Sequence, residues 1–303
     1  MSSTEVGWVG FPSPAKLNLF LHIVGRREDG YHLLQTVFQL LDWGDDVDLR
    51  VRDDDQICRS SDLPGVSAEQ DLVVRAARQL QTVARQSSRG GGRMLGADIR
   101  VRKRIPMGGG LGGGSSNAAT VLVGLNALWG LGLSFDELAE LGLRLGADVP
   151  VFVHGASAWA EGVGERLTPV ALGDRWYLLV NPGVAVPTAA LFQAPELTRD
   201  SPITTISGFL SGSVVGNAFQ PVLAARNKAV AQTLEALAAY GTPQLSGTGA
   251  CCFVAFADET SAQAALRDWL LRFDAQAESV FVARGVDVSP LRACVQGWGV
   301  AKR

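Results

Sequence analysis

The 303-residue chain is predicted to adopt a fold of the α/β (α+β) class in two domains. Apolar and polar residues alternate through much of the first hundred residues, which is the pattern of strands with one buried face. A glycine-rich run at 106–119 leads into a stretch with helical spacing, and from about Trp176 strand and helix patterns alternate. This change places a domain boundary between Gly155 and Arg175. The second half is expected to form a separate layer.

Apolar periodicity predicts the strands and the first helix of the first half. Segments 16–25, 45–51 and 97–105 alternate apolar and polar residues, as strands do. Segment 71–86 carries its apolar residues at helical spacing instead. Asp71 stands where a residue could cap the first turn of that helix, because a carboxylate can accept from the free backbone N–H groups there.

Two more helices are predicted after the glycine run. In the first, apolar residues share one stripe, formed by Ala118, Val121, Leu122, Leu125, Leu128 and Trp129. The next begins at Ser134, since Ser134 and Glu137 have the spacing of a capping box, and it ends near Gly146. Segment 147–155 is predicted to be a turn or short helix that leads towards a strand.

The second half alternates between strand and helix patterns. Short runs of apolar residues predict strands, and longer periodic runs predict helices. The predicted strands are 176–184, 249–256 and 279–286, and the predicted helices are 229–240 and 260–273.

Composition narrows the classes of function. The chain is 47% hydrophobic and 19% charged, which suits a globular protein, and its net charge of -3 argues against a surface that binds nucleic acid. No apolar stretch is long enough to cross a bilayer, and the first residues lack the pattern of a secretion signal. The four cysteines show no metal-binding spacing, and Cys251 and Cys252 are predicted to be buried free thiols. A cytoplasmic protein is therefore predicted.

The run "PMGGGLGGGSSNAA", residues 106–119, is the strongest local signal for a ligand site. Glycines allow positive φ and let a ligand approach the backbone closely. The helix that follows offers unpaired N–H groups and the positive end of its dipole, both of which favour phosphate. Ser115, Ser116 and Asn117 are the predicted caps of this helix.

Two common nucleotide motifs fit the glycine run poorly. Gly108, Gly110 and Gly113 satisfy G-x-G-x-x-G, but the strand before them has arginines at every second position and so one wet face, unlike the buried strand of a dinucleotide fold. Gly109 and Gly114 have the separation of a P-loop, but the residue after Gly114 is a serine instead of the required lysine. What remains is a phosphate cradle whose cations come from elsewhere in the chain.

Three separated stretches resemble the motifs of the GHMP kinases. They are "PSPAKLNLFLHIVGRREDGYH", then "PMGGGLGGGSSNAA" followed by "GADVPVFV", and finally "LSGTGA". The resemblance implies a two-domain GHMP kinase fold with mixed or antiparallel sheets and a cleft between the domains. It also implies an ATP-binding domain at 1–160 and a second GHMP domain at 161–303.

Within that superfamily, the first stretch and "EGVGE" at 161–165 most resemble the branch that acts on 4-diphosphocytidyl-2-C-methyl-D-erythritol. The resemblance implies transfer of the γ-phosphoryl group of ATP to the 2-hydroxyl of this substrate, in the non-mevalonate route to isoprenoid precursors. Mg²⁺ is the implied cofactor beside ATP, although no metal ligands are assigned. The alternatives are another small-molecule GHMP kinase or a nucleotide sensor without catalysis.

The resemblance also assigns roles to individual residues. Asp148 matches the catalytic aspartate, and Lys16 matches its lysine partner. The implied substrate-binding residues are Asn18, Tyr31, His32 and Phe192, with Tyr31 and Phe192 on the two faces of the cytosine and His32 at its hydrogen-bonding edge. The implied cofactor-binding residues are Lys103, Pro106, Met107, Gly108, Gly109, Gly110, Leu111, Gly112, Gly113, Gly114, Ser115, Ser116 and Thr188.

This chain departs from its relatives at Asp71. Where they commonly carry Asp-Asn-Leu, it has Gln-Asp-Leu at 70–72, so an aspartate replaces the asparagine associated with the nucleotide site. An amide both donates and accepts, whereas an ionised carboxylate only accepts. Asp71 is therefore not assigned the full contact of the family, and a helix-capping role is predicted for it instead.

Overall fold

The computed structural model describes residues 7–61, 65–87, 89–273 and 280–301, with side chains as far as residue 296. The first six residues, where no secretion signal is predicted, lie outside this part. The described strands are β1 Val9–Arg26, β2 His32–Arg52, β3 Ile57–Arg59, β4 Gly96–Arg102, β5 Ala158–Glu161, β6 Arg166–Pro169, β7 Arg175–Val180, β8 Gln244–Leu245, β9 Cys252–Phe256 and β10 Val280–Val286. The described helices are α1 Leu72–Gln86, α2 Gly113–Trp129, α3 Phe135–Leu143, α4 Val149–His154, α5 Thr188–Phe192, α6 Ile206–Leu210, α7 Phe219–Arg226, α8 Lys228–Leu237, α9 Glu259–Arg272 and α10 Pro290–Ala301.

The described strands form one mixed sheet, in the order β3-β4-β2-β10-β7-β9-β8. The long strand β2 organises it, because β1 pairs along one edge while β4, β10 and β5 pair with successive parts of the other. β3 runs parallel to β4, and the other described pairs are antiparallel. The mixed sheet confirms the predicted fold class.

The expectation of a separate layer in the second half is wrong. β10 joins the strands of the second half to β2, with Gly285 opposite Leu41 and Val286 opposite Leu40. Alternation in a sequence indicates that a segment is a strand, but it does not indicate which strand lies beside it. One apolar cluster also combines residues of both halves, namely Ala15, Leu17, Leu41, Ile105 and Leu111 with Tyr177, Leu179, Cys251, Phe253 and Ala283.

Helix starts were predicted well where a side chain forms the cap. Asp71 accepts from the backbone N–H of Val73 at the start of α1, and Ser134 and Glu137 form the predicted capping box of α3. The predicted end of α3 near Gly146 is late by about one turn, because the helix ends at Leu143.

The start of α2 differs from the prediction. Its N-cap is Gly112, in the left-handed conformation and without a side-chain cap bond, so Ser115, Ser116 and Asn117 lie inside the first turns of the helix instead of capping it. The glycine run continues directly into the helix, which leaves its first backbone N–H groups uncovered by any capping side chain.

Candidate active site

The glycine loop between β4 and α2 forms one wall of a cavity of about 430 Å³. Gly108, Gly110 and Gly112 all adopt positive φ, at 69°, 75° and 73°, which residues with a side chain rarely do. We call this space the glycine-loop cavity. It is lined by Val66, Gln70, Asp71, Leu72, Lys103, every residue from Pro106 to Ser115, and Asn117.

The third motif and the residue after it form hydrogen bonds with the glycine loop. The Ser246 hydroxyl donates to the Gly110 carbonyl at 2.9 Å, and the Cys251 N–H donates to the Gly109 carbonyl at 3.1 Å. A Cβ on Gly110 would overlap the Ser246 carbonyl oxygen. This close approach therefore requires glycine at position 110.

Cys251 and Cys252 are buried free thiols, as predicted, and burial raises the pKa of Cys252 to about 12.

Lys103 reaches the edge of this cavity and is held there by Asp45. Its ammonium lies 2.5 Å from the Asp45 carboxylate and 3.3 Å from the Asn117 amide oxygen. Asp45 also accepts from the backbone N–H groups of Arg104 and Ile105, at 2.6 and 2.8 Å. Because Asp45 is 1% exposed, the pair places a fixed cation beside the glycine loop.

Asp45 was missed by reasoning from the sequence. In segment 45–51 it looks like one more polar residue of an alternating strand. A signal was nevertheless present, because Asp45 has the same parity as Val47 and Leu49 and so points to the buried face. An acidic residue in that position requires partners for its charge.

Ser116, predicted to bind the cofactor, does not place its side chain in the cavity. It is fully buried, and its hydroxyl lies 2.9 Å from the Ser13 hydroxyl. Asn117 lies beside it and donates to Ser13 at 2.8 Å and to Asp45 at 2.9 Å. Through these hydrogen bonds, Ser116 and Asn117 connect the first turn of α2 to β1 and β2. Ser115, in contrast, lines the cavity.

A second cavity, of about 350 Å³, contains the predicted catalytic pair. We call it the lysine cavity. The Lys16 ammonium lies 3.5 Å from an Asp148 carboxylate oxygen and 2.5 Å from the Asn18 amide oxygen. Gly110, Gly112 and Ser115 line this cavity and the glycine-loop cavity alike, so the two adjoin.

Strand β1 and its neighbours fix the direction of the Lys16 ammonium. Asn18 donates from its amide to the Thr36 hydroxyl at 2.9 Å, and Thr36 in turn donates to the Phe20 carbonyl at 2.5 Å. This chain turns the amide oxygen of Asn18 towards Lys16. The lysine is 3% exposed, so its charge requires such partners.

Asp148 precedes α4 but does not cap it. Its side chain makes no capping bond to the helix, and it is 35% exposed. The backbone of Gly112 approaches the Lys16 stem closely, since a Cβ there would lie 3.2 Å from the Lys16 Cε. The carboxylate is thus available to a ligand, next to a fixed ammonium and close to the glycine loop.

A third cavity, of about 380 Å³, lies beside His32 and Phe192, and we call it the histidine cavity. The His32 and Phe192 rings stack with their centroids 5.0 Å apart. Burial, Arg199 and Arg26, in that order, lower the pKa of His32 below its ordinary value. Phe192 also lines the lysine cavity, so the three cavities follow one another along the molecule.

Tyr31 and Thr188 are placed differently from the other predicted residues. Tyr31 is 63% exposed and is not among the residues that line the histidine cavity. Thr188, predicted to bind the cofactor, lines the lysine cavity, where its hydroxyl lies 2.9 Å from that of Thr248. Neither residue lines the glycine-loop cavity.

Asp71 caps α1, as predicted from its departure from the family pattern. One carboxylate oxygen accepts from the Val73 N–H at 3.1 Å, and the other accepts from Arg59 at 2.9 Å. Both side chains of this ion pair are largely buried. Asp71 lines the glycine-loop cavity, but one of its carboxylate oxygens already accepts a hydrogen bond from Arg59.

The described residues hold no group of three or more His, Cys, Asp or Glu side chains able to bind a metal by themselves. Ser115 and Asp148 are oxygen donors that line the same lysine cavity. Mg²⁺ commonly takes one or two protein oxygens and completes its shell with phosphate and water. The donors present therefore fit a magnesium ion that arrives with a nucleotide.

Comparison with known families identifies two matching domains. Residues 71–156 match the GHMP kinases N terminal domain, and residues 206–275 match the GHMP kinases C terminal family. Fold and site together define a phosphotransferase of the GHMP kinase class. No helix of the described residues is both long and apolar enough to span a membrane.

Closer relatives refine the class. A 4-diphosphocytidyl-2-C-methyl-D-erythritol kinase of Xanthomonas euvesicatoria pv. vesicatoria is 62% identical over 267 residues, which are 88% of each chain. One of Halorhodospira halophila is 55% identical over 94% of this chain and 95% of its own. A crystal structure of 4-(cytidine 5'-diphospho)-2C-methyl-D-erythritol kinase superposes with a TM-score of 0.75 at 29% identity, covering 92% of this chain and 100% of the other. The chain belongs to the family of 4-diphosphocytidyl-2-C-methyl-D-erythritol kinases, which confirms the resemblance.

Proposed function

We propose that this chain transfers the γ-phosphoryl group of ATP to the 2-hydroxyl of 4-diphosphocytidyl-2-C-methyl-D-erythritol, a step towards isoprenoid precursors. One observation carries the proposal beyond family membership. The glycine-loop, lysine and histidine cavities adjoin in that order through shared lining residues. The acid–amine pair thus lies between a phosphate cradle and an aromatic pocket, where a phosphoryl acceptor would have to lie.

ATP occupies the glycine-loop cavity in this proposal. Its phosphates lie against the uncapped N-terminus of α2, where the N–H groups and the helix dipole favour an anion. Lys103, fixed by Asp45, supplies a positive charge at the same edge. The residues from Pro106 to Ser115 surround the phosphates, and Thr188 contacts the end that points into the lysine cavity.

Mg²⁺ accompanies ATP in this proposal. Ser115 and Asp148 would hold it together with phosphate oxygens, since both line the lysine cavity. When bound, the ion would neutralise charge on the phosphates of ATP, including the γ-phosphoryl group that is transferred. Mg²⁺ that arrives with ATP agrees with the lack of a dedicated cluster among the described residues.

The acceptor hydroxyl lies beside Asp148 in this proposal. The carboxylate accepts the hydroxyl hydrogen and aligns the oxygen for attack. Lys16 lies beside this carboxylate and stabilises the negative charge that develops during transfer. Asn18 holds the ammonium in place through its amide oxygen, so three residues position the reacting atoms.

The cytidine end of the substrate occupies the histidine cavity. Phe192 offers an aromatic face, Tyr31 covers the other face of the base, and His32 binds its hydrogen-bonding edge. Tyr31 has a ring free to do so, because it is 63% exposed. In this division of tasks, residues 1–160 bind ATP, and residues 161–303 contribute Phe192 and Thr188.

We also propose that the reaction takes place in the cytoplasm, on small-molecule substrates and without nucleic acid or a membrane as a partner. The free cysteines support a reducing compartment. The net charge of -3 gives no support for binding to nucleic acid.

ADP release in a coupled assay tests the proposal. The purified chain is given ATP, Mg²⁺ and one alcohol at a time: the cytidylated methylerythritol, homoserine or mevalonate. We expect turnover with the cytidylated alcohol alone, because only that alcohol carries a base for the histidine cavity. Turnover with another alcohol would identify a different GHMP kinase, and ATP binding without any turnover would identify a sensor.

A further inference from the structure

Arg199 stands out among the residues of the histidine cavity because its guanidinium donates four hydrogen bonds to the residues around it. Its Nε–H donates to Nε2 of His32 at 3.3 Å. Its terminal nitrogens donate to the carbonyls of Leu197 at 3.0 Å and of Phe192 and Ala194 at 2.8 Å. One cation thus connects the histidine to the end of the helix that carries the aromatic face.

This contact determines which nitrogen of His32 carries a proton. A guanidinium only donates and stays protonated, so Nε2 of His32 has to accept with its lone pair. The lowered pKa of His32 keeps the ring neutral at neutral pH. The single proton of a neutral ring is then on Nδ1. Among the described residues no hydrogen bond is made by this nitrogen, which leaves it free for a ligand.

We propose that Arg199 holds His32 in the Nδ1–H tautomer and thereby makes the site select cytosine over uracil. N3 of cytosine accepts a hydrogen bond, whereas N3 of uracil carries a hydrogen and donates. An Nδ1–H donor pairs with the first and opposes the second. The proposal rests on the base-binding role of His32 in the proposed function. Arg199 acts through His32 and is a positioning residue.

The arrangement around Arg199 keeps the histidine from changing tautomer. Rotation of the guanidinium away from His32 would break its bonds to the three carbonyls, which hold its plane. The stacked Phe192 ring covers one face of His32. Arg26, the other cation of this cavity, disfavours a second proton on the ring, as Arg199 does.

Nitrogen-15 NMR of the imidazole rings tests the first half of the proposal without any substrate. Protonated and unprotonated ring nitrogens have well separated shifts, and His32→Gln identifies the signals of His32 among the three histidines. We expect the wild-type enzyme at pH 7.5 to show Nδ1 protonated and Nε2 bare. The opposite tautomer or a doubly protonated ring would overturn the proposal.

Substrate selectivity tests the second half. The ratio of kcat/KM for the cytidylated substrate to that for its uracil analogue is measured in Arg199→Met and Arg199→Lys. We expect the ratio to fall about tenfold in both, the factor that one ordinary hydrogen bond supplies. The change should lie in KM, with the KM of ATP unaltered. Arg199→Lys retains a donor for the carbonyls, so it separates loss of the histidine contact from loosening of the segment.

Arg226→Met is the matched control. Arg226 binds Glu196 in the same segment, at 2.6 Å, but does not touch His32, so its loss should leave the ratio unchanged. An unchanged ratio in both Arg199 variants, or an equal fall in the control, would overturn the proposal. A wild-type enzyme that phosphorylates neither substrate would contradict the proposed function itself, and this result precedes any comparison of variants.

Discussion

At the scale of single residues, Asp148 is unusual because its carboxylate makes no hydrogen bond to the helix that it precedes. An aspartate before a helix ordinarily accepts from the first turn, but the Asp148 side chain makes no such bond. Lys16 approaches it at 3.5 Å and is itself anchored by Asn18. An acid without a structural task, next to a fixed ammonium, is suited to holding an acceptor hydroxyl.

Asp148→Asn is expected to lower kcat about 10²- to 10⁴-fold, the range for a lost proton acceptor. The free energy of unfolding should change much less than the activation free energy, because Asp148 caps no helix and the Lys16 ammonium keeps its contact with Asn18. Steady-state kinetics and urea unfolding of one preparation measure both quantities. Lys16→Met, which keeps most of the buried stem, should also lose turnover.

Asp136→Asn is the control for this experiment, because its carboxylate is 90% exposed at the start of α3. It should retain full turnover. Near-normal kcat in folded Asp148→Asn would refute the assignment of this residue to the reaction.

At the scale of elements, the glycine loop and the turn at 245–250 form one unit. Ser246 donates to the Gly110 carbonyl, and Cys251, the residue after the third motif, donates to the Gly109 carbonyl. These two bonds fix the position of the glycine loop. The same hydroxyl of Ser246 accepts from the backbone N–H of Asn18 at 3.3 Å. The phosphate cradle and the strand of the catalytic lysine are therefore connected through a single serine.

Gly110→Ala should raise the KM for ATP by about tenfold or more, and should destabilise the fold more than Gly132→Ala does. Both glycines have positive φ, at 75° and 66°, where an alanine costs about 1–2 kcal/mol. A methyl group meets nothing within 4 Å at Gly132 but overlaps the Ser246 carbonyl at Gly110. Urea unfolding and ATP titration of both variants measure the difference, and equal effects would mean that the overlap does not matter.

At the scale of the whole molecule, the two halves share a sheet and part of a core. β10 lies between β2 and β7, and Leu291 of α10 packs in the cluster formed mainly by the first half. Leu21 and Ile23 of β1 in turn pack in the cluster of the second half. Each half thus completes the other, which also fixes the relative positions of the residues from both halves that line the lysine and histidine cavities.

The full chain is therefore expected to unfold in a single transition, with coincident circular dichroism and tryptophan fluorescence curves. The fragment 1–160 should show no cooperative transition, because it lacks β10 and α10 and leaves their apolar contacts exposed. Thermal unfolding of both proteins in the same buffer makes the comparison. A cooperative transition in the fragment would show that the first half folds alone.

Capping and periodicity made much of the fold predictable, whereas long-range pairing was not. Asp71, Ser134 and the helix after the glycine run depend on neighbours within one turn, and the structure agrees with their predicted elements. Ser116 was predicted to face a ligand because it follows the glycines, but its orientation depends on Ser13, about a hundred residues earlier. The motif resemblance identified the family, as the comparisons bear out.

The fold class, the glycine loop and the family could all be predicted from the amino-acid sequence, because turns, caps and ordered motifs are properties of short segments. The folded structure was needed to show that Asp45 holds Lys103, that β10 joins the two halves, and that Arg199 contacts His32 across 167 positions of the chain. Such contacts depend on sheet pairing and packing, which bring together residues that are far apart in the sequence. A local sequence pattern does not predict which of these residues will be in contact.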